Sequence, residues 1–305
     1  MSRIALTLRD GTASTSVCEA RRVPLFSAAM PPTTLRRPDR HVLYEAAVQD
    51  VDFDLGFFQR IYRDLRGRPF THLREDFCGT ARLACEWVRR GRDRHAIGVD
   101  LSAETLAWAR RHHVAFIGAA ARRLRLVRAD VRRAAGPRSD VVAALNCSYW
   151  VFKRRPQLVG YFRRARQHLR PGGLLFLDSF GGEGAMKALT ETRRVRGART
   201  YAGERVPPFT YVWQQKSFNP VDHHLLSRIH FRVEDDRQVR NAFTYDWRLW
   251  TLPEITEALR EAGFADAQVY VQAWDDALNQ PLNIYRRRGR FENQEAWLAY
   301  IVGVK

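Results

Sequence analysis

His72-Leu-Arg-Glu-Asp-Phe-Cys-Gly-Thr-Ala-Arg-Leu-Ala-Cys-Glu-Trp-Val-Arg-Arg-Gly-Arg-Asp-Arg-His-Ala-Ile-Gly-Val-Asp100 is the stretch whose reading decides the fold. It sets a short strand, a tight turn at Cys78-Gly79-Thr80, a helix and a second strand ending in Asp100 in immediate succession. This is nucleotide-site spacing. Gly79 lets the backbone approach a ligand at the strand-to-helix turn, and Asp100, 21 residues on, can accept both hydroxyls of a ribose. The complete G-x-G-x-x-G of dinucleotide sites is absent, because Phe77 and Ala81 stand where further glycines are expected, and no G-x-x-x-x-G-K-[ST] occurs. A nucleoside ligand without a diphosphate fits this turn better.

Outward from that core, strands and helices are expected to alternate. The pattern predicts strands over 72–78, 95–100, 123–129, 140–147 and 173–180, with helices over 80–91, 102–113 and 156–169 between them. Apolar runs such as Val141-Val142-Ala143-Ala144-Leu145 are what strands covered on both faces require, so the sheet should be parallel and doubly wound. Upstream, Val42, Leu43 and Ala46, then Leu55, Phe58, Ile61, Tyr62 and Leu65, recur at helical spacing until Gly67 and Pro69 stop the run, which predicts a helical cover over 41–70. Residues 1–40 show no sustained period and read as a disordered tail ahead of a single domain over 41–305.

The alternation breaks between 190 and 250. Phe209 to Phe218, Leu225 to Val233 and Val239 to Leu249 are rich in aromatic and β-branched residues and are parted by turn signals, which predicts a three-stranded antiparallel insertion. Thr251-Leu-Pro-Glu254 then reads as a capping box opening a helix that Gly263 closes, and strands over 266–273 and 296–304 complete the sheet.

Composition narrows the function. The chain has 305 residues and 45% apolar content, enough for a large buried core, and lacks a run of 18 uncharged apolar residues that would cross a membrane. Cys18, Cys78, Cys85 and Cys147 lack paired C-x-x-C spacing, which argues for reduced thiols in a cytoplasmic setting and against structural zinc. His223-His224 lacks a third ligand at useful spacing, so no metal is expected. A formal charge of +18 raises the rival reading of a nucleic-acid partner. Lys153, Lys187, Lys216 and Lys305 are the only lysines among 51 basic residues, and the arginines are spread along solvated helix faces. That distribution disfavours a dedicated phosphate-binding surface.

The chain resembles class I S-adenosylmethionine-dependent methyltransferases over roughly residues 40–305. The resemblance is carried by an ordered set: Glu75 ahead of the turn, Gly79 in it, Asp100 and Asp130 ending the second and third strands, and Pro171-Gly172-Gly173 before the fifth. It implies a Rossmann-like, doubly wound, seven-stranded sheet with N-terminal helices and an antiparallel β insertion after strand 5 that caps the acceptor site. It also implies S-adenosylmethionine as cofactor. On that reading Asp100 binds the ribose and Leu101 packs on the adenine, while Asp130 and the Val131 amide meet the adenine edge. Glu75, with Asp76 as alternative, orients the methionine end; Arg74 reaches the cofactor carboxylate, and Asn146 offers a carbonyl to the methionine amine or to a substrate.

The acceptor is less legible. Asn146-Cys147-Ser148-Tyr149-Trp150 lacks the Asn/Asp-Pro-Pro-Tyr of enzymes that methylate exocyclic base amines. Aromatic residues including Tyr44, Tyr149, Tyr245 and Trp247 are the candidate substrate contacts, since ring faces stabilise a sulfonium or a nascent cation. The expectation is methyl transfer by direct in-line displacement to a small-molecule acceptor. An RNA methyltransferase and a non-catalytic nucleoside-binding protein are the alternatives.

Overall fold

Side-chain caps define the first elements. In the computed structural model, which describes residues 34–233, 237–275 and 280–305, Asp39 Oδ1 accepts the amides of His41 and Val42 at 2.8 and 3.0 Å and starts α1 (Arg40–Val48). Asp50 accepts the Phe53 amide at 3.1 Å and starts α2 (Val51–Arg66), which Gly67 ends at a φ of 67°. Most of the segment read as a tail, residues 1–33, lies outside the described residues.

The alternating part follows as β1 (His72–Asp76), α3 (Arg82–Arg89), β2 (His95–Asp100), α4 (Ala103–His112), β3 (Leu124–Arg128), β4 (Ser139–Ala144), α5 (Arg155–His168) and β5 (Leu169–Gly181). Strands β3, β2, β1, β4 and β5 lie side by side and parallel, and β4, at the centre of the sheet, is buried along its whole length, as a strand covered on both faces should be. Order reverses between β1 and β4, so a crevice opens at their carboxyl ends.

The chain then leaves the sheet for the insertion: β6 (Leu189–Val195), the two-residue pair β7 (Ala198–Arg199) and β8 (Arg205–Val206), β9 (Phe209–Phe218), β10 (His224–Arg232) and β11 (Gln238–Arg248). The antiparallel insertion sheet has four strands in the order β11-β10-β9-β6, one more than expected. β6 is the addition. Its core-facing positions include Glu191 and Arg193, so its alternation carries charges where apolar residues would have announced a strand.

The return begins with α6 (Leu252–Glu261), where Thr251 and Glu254 form the expected capping box. β12 (Asp266–Asp275), β13 (Gln280–Arg287) and β14 (Trp297–Val304) complete the central sheet in the order β13-β12-β14-β5-β4-β1-β2-β3. The sheet therefore has eight strands rather than seven, β13 being an added antiparallel edge whose Arg286 and Arg287 obscure its strand character. β14 lies between β5 and β12 and is antiparallel to both. One core joins α1, α5, α6, the insertion and one side of the sheet; the other joins α2, α3 and the opposite side.

Candidate functional site

The turn after β1 keeps a glycine-like path without the glycines. Phe77, Gly79 and Ala81 all hold left-handed φ values, of 57°, 51° and 54°. A side chain is disfavoured in that region, so the surroundings must hold the two non-glycine positions in place. Phe77 packs near Phe152 and Tyr161, and the Ala81 amide donates to the Cys78 carbonyl at 2.7 Å. A Cβ on Gly79 would meet no described residue within 4 Å, so among the described residues open space lies over the middle of the turn. Gly98 in β2 does the reverse work: a Cβ there would come within 2.9 Å of Cys78 Sγ and Leu126 Cδ2.

Asp100 ties the two strand ends together. One carboxylate oxygen accepts the Gly79 amide at 2.8 Å and the other accepts the Ser102 amide at 2.8 Å. The following Leu101 is 66% exposed beside it. At the end of β3, Asp130 accepts the Arg132 amide at 2.9 Å and pairs with the Arg132 guanidinium, which holds its carboxyl below the usual range; Val131 is buried.

The acids of β1 separate into two roles. Glu75 is buried and accepts the Ala84 amide at 3.0 Å in the first turn of α3. Burial pushes its carboxyl up to about 8; the Ala84 amide opposes this, and Asp100 and Asp76 add to it. Asp76 instead accepts Arg74 Nε at 2.8 Å and the Tyr161 hydroxyl at 3.2 Å. Arg74, expected to reach a cofactor carboxylate, is fully buried in this ion pair, with Nη1 beside the backbone of Gly136.

At the end of β4 the chain turns through Asn146 and Cys147, both at left-handed φ, and their amides donate to the two carboxylate oxygens of Asp178 at 2.9 and 2.8 Å. The sequence reading passed over Asp178. Its signal was an acid inside the apolar run Leu174-Leu-Phe-Leu-Asp-Ser-Phe180 of β5, where only a buried partner makes a charge tolerable.

Of the aromatic candidates, Tyr149 is fully buried and donates its hydroxyl to the Asp178 carbonyl at 2.9 Å. Trp247 is buried and stacks on Tyr245, with centroids 4.2 Å apart. The phenols of Tyr44 on α1 and Tyr245 on β11 influence each other's ionisation, and burial holds both above the usual phenol range. Tyr44 also lies close to Asp178 and Cys147. The N-terminal helix, the ends of β4 and β5 and the insertion sheet therefore meet in one region. Tyr211, Glu191 and Arg193, missed in sequence, face the same region from β9 and β6.

Two clefts lie elsewhere. One of about 410 Å³ is lined by Gln49, Asp50, Arg82, Glu86, Phe116 and Tyr201, along α3. Another of about 300 Å³, with His72, His95 and Arg170 on its walls, sits at the amino ends of the strands, the end that ligands of open α/β sheets do not use.

Residues 77–173, from the turn after β1 to the start of β5, match the family described as a methyltransferase domain. Those residues form a methyltransferase domain, and the chain as a whole has the class I methyltransferase fold. The methyltransferase shares its fold with DesVI of Streptomyces venezuelae, at 16% identity and a TM-score of 0.61 over 87% of this chain and 95% of that one. It is also similar to CalS10, an amino pentose methyltransferase of Micromonospora echinaspora solved with S-adenosylmethionine bound: 17% identity, TM-score 0.60, 88% and 98% covered. A third similar structure is KedS8, a sugar N-methyltransferase of Streptoalloteichus, with 19% identity, a TM-score of 0.57, and 93% and 99% covered. No curated protein matches this sequence.

Proposed function

We propose that this methyltransferase transfers a methyl group from S-adenosylmethionine to a small-molecule acceptor by in-line displacement. The observation that carries the reading is Asp100, whose carboxylate bridges the Gly79 and Ser102 amides at the carboxyl ends of β1 and β2, with open space over Gly79. An acid held there by two backbone amides is pre-organised to accept ribose hydroxyls. Exposed Leu101 would cover one face of the adenine. Asp130 and the Val131 amide would meet its edge, and Glu75 with the turn it braces would support the methionine end, next to the Asn146 carbonyl. When bound, the cofactor supplies a methyl group on a positively charged sulfur, ready for direct attack.

The chain's own contribution is placement: the acceptor atom held about 3 Å from the methyl carbon, in line with the leaving sulfur, in a site closed to water. The small-molecule assignment is supported by the insertion, which brings Tyr245 and Trp247 over the β4 and β5 ends, and by the amino pentose and sugar acceptors of CalS10 and KedS8. No helix among the described residues is long and apolar enough to cross a membrane. Cys78, Cys85 and Cys147 are buried free thiols, which supports a reducing, cytoplasmic location.

Titration calorimetry with S-adenosylmethionine tests the reading. Wild type should bind, and Asp100→Ala, which leaves the ribose hydroxyls unpaired, should lose about 1–3 kcal/mol of affinity while remaining folded. Equal affinity in the two proteins would remove Asp100 from the site, and no binding by wild type would overturn the function.

A further inference from the structure

We propose that the acceptor carries an amine that is cationic in water, and that Glu191 is the carboxylate that binds this amine and takes its proton. The proposal rests on the methyl-transfer reading above and names its substrate class and base.

The geometry begins with β6, the strand that sequence reading missed. Its alternation turns Leu189, Glu191, Arg193 and Val195 inward, while Thr190, Thr192 and Arg194 face solvent. Glu191 is in register with Trp213 and Arg193 with Tyr211 on β9. Arg193 fixes the strand against the N-terminal cover, its Nη2 donating to the Ala47 carbonyl of α1 at 2.5 Å. Tyr211 is only 4% exposed, and its hydroxyl lacks a hydrogen-bond partner among the described residues. The ionisable groups close to that phenol are Tyr44, Arg193 and Glu191, and Asp178 and Cys147 lie close to Tyr44 in turn. A line of polar groups thus runs from the ends of β4 and β5, through Tyr44 and Tyr211, to Glu191.

Glu191 is half-buried and makes no hydrogen bond or ion pair among the described residues. The neighbouring cations are engaged elsewhere. Arg193 is held by Ala47 and lies over the Tyr211 ring at 5.4 Å, while Lys187 pairs with Glu295 at 3.2 Å and with Glu183 at 3.9 Å. The charged group that does reach Glu191 is a second acid, Glu295, in the segment before β14. Burial, reinforced by Glu295, pushes the Glu191 carboxyl up to about 7. A half-buried acid beside another acid and an unpaired phenol is unfavourable for the free protein. An ammonium relieves the strain at this position: it neutralises Glu191 and donates to the Tyr211 oxygen. The ring faces of Trp213, Tyr245 and Trp247 in the same sheet suit a cation as well.

The chemistry balances with this one base. An ammonium has no lone pair to attack with. The Glu191 carboxylate takes one N–H proton and becomes a neutral acid; the freed nitrogen lone pair forms the N–C bond, and the S–C bond breaks with its electrons going to sulfur. The methylated nitrogen is again positive, and the proton on Glu191 passes to solvent as product leaves. A base that titrates near neutral pH is matched to this exchange, whereas a sugar hydroxyl is far too weak an acid for it.

The experiment uses the full chain with labelled-methyl S-adenosylmethionine and a library of primary and secondary amino sugars, each beside the sugar bearing hydroxyl in place of amine. Label should enter the amines alone. Glu191→Gln should lower kcat by about 10²–10⁴-fold and flatten the acid limb of the kcat/KM profile near pH 7, with the S-adenosylmethionine Kd moving less than about twofold. Glu191→Asp should recover part of the rate. The proposal is overturned if the hydroxyl sugars are labelled, if no amine is labelled by protein that binds S-adenosylmethionine, or if Glu191→Gln keeps its rate and pH profile. Failure of wild type to bind S-adenosylmethionine would instead strike the methyl-transfer reading.

Discussion

Ala81 and Phe77 hold a backbone shape that costs an L-residue about 1–2 kcal/mol, so the turn after β1 is imposed on these residues by what surrounds them. For Ala81, changing to Gly removes that strain but also removes a buried methyl worth about 0.8 kcal/mol and frees the unfolded chain by about 0.4–1 kcal/mol. The terms nearly cancel. Ala81→Gly is expected to leave the melting temperature within a few degrees of wild type, where Ala81→Val, branched in a left-handed position, should drop it sharply; equal losses in the two would show that strain is not the controlling term. Glu75 makes a second prediction at this scale. Its carboxyl is protonated in the folded protein up to about pH 8 but ionises near 4.5 when exposed, so folding retains a proton between those values. Stability should therefore fall as pH rises from about 4.5 to about 8 and level off beyond. Glu75→Gln can still accept the Ala84 amide and should show a weaker decline; parallel melting curves for the two proteins across that range would refute the assignment.

At the scale of elements, α6 stands on one residue pair. Thr251 Oγ1 accepts the Glu254 amide, and Glu254 Oε2 accepts the Thr251 amide at 2.9 Å. Thr251→Ala should cost about 1 kcal/mol, or about 2–4 °C, while leaving S-adenosylmethionine affinity unchanged because α6 contributes nothing to the strand ends; a matching loss of affinity would contradict that separation. Such local devices are what sequence shows well. The capping box, the strand over 95–100 and the aromatic strand from Phe209 to Phe218 were readable because hydrogen-bonding type or periodicity is local information. β6 and β13 were not, since their inward or edge positions carry Glu and Arg, and a charge is read as solvated until the far side of the contact is known. For the same reason Asp100 and Asp130 stood out at strand ends. Asp178 did not, because its partners, the amides of Asn146 and Cys147, lie about 30 residues away in the chain. Arg74 shows the converse: it was expected to reach the cofactor carboxylate, and packing paired it instead with Asp76 inside the fold.

For the whole molecule, the insertion is held at both ends, by the turn after Gly181 and by the Thr251 corner, and Arg193 adds a third tie to α1. Gly181 and Gly182 are closed in turn by the last segment of the chain, since a Cβ on Gly181 would strike Trp297, and one on Gly182 the Gln294 and Glu295 carbonyl oxygens. β14 also fills the gap between β5 and β12. This arrangement ties the fold to the order of synthesis. Residues 174–181 emerge from the ribosome more than a hundred residues before the strand that pairs with them, so the open flank of β5 must wait, shielded by chaperones or by non-native contacts, until residues 297–304 arrive. Protease protection of nascent chains stalled behind a C-terminal linker should consequently appear in one late step once Val304 clears the exit tunnel, and early protection of β5 in a chain that lacks residues 297–304 would show that half of the sheet can stand without β14.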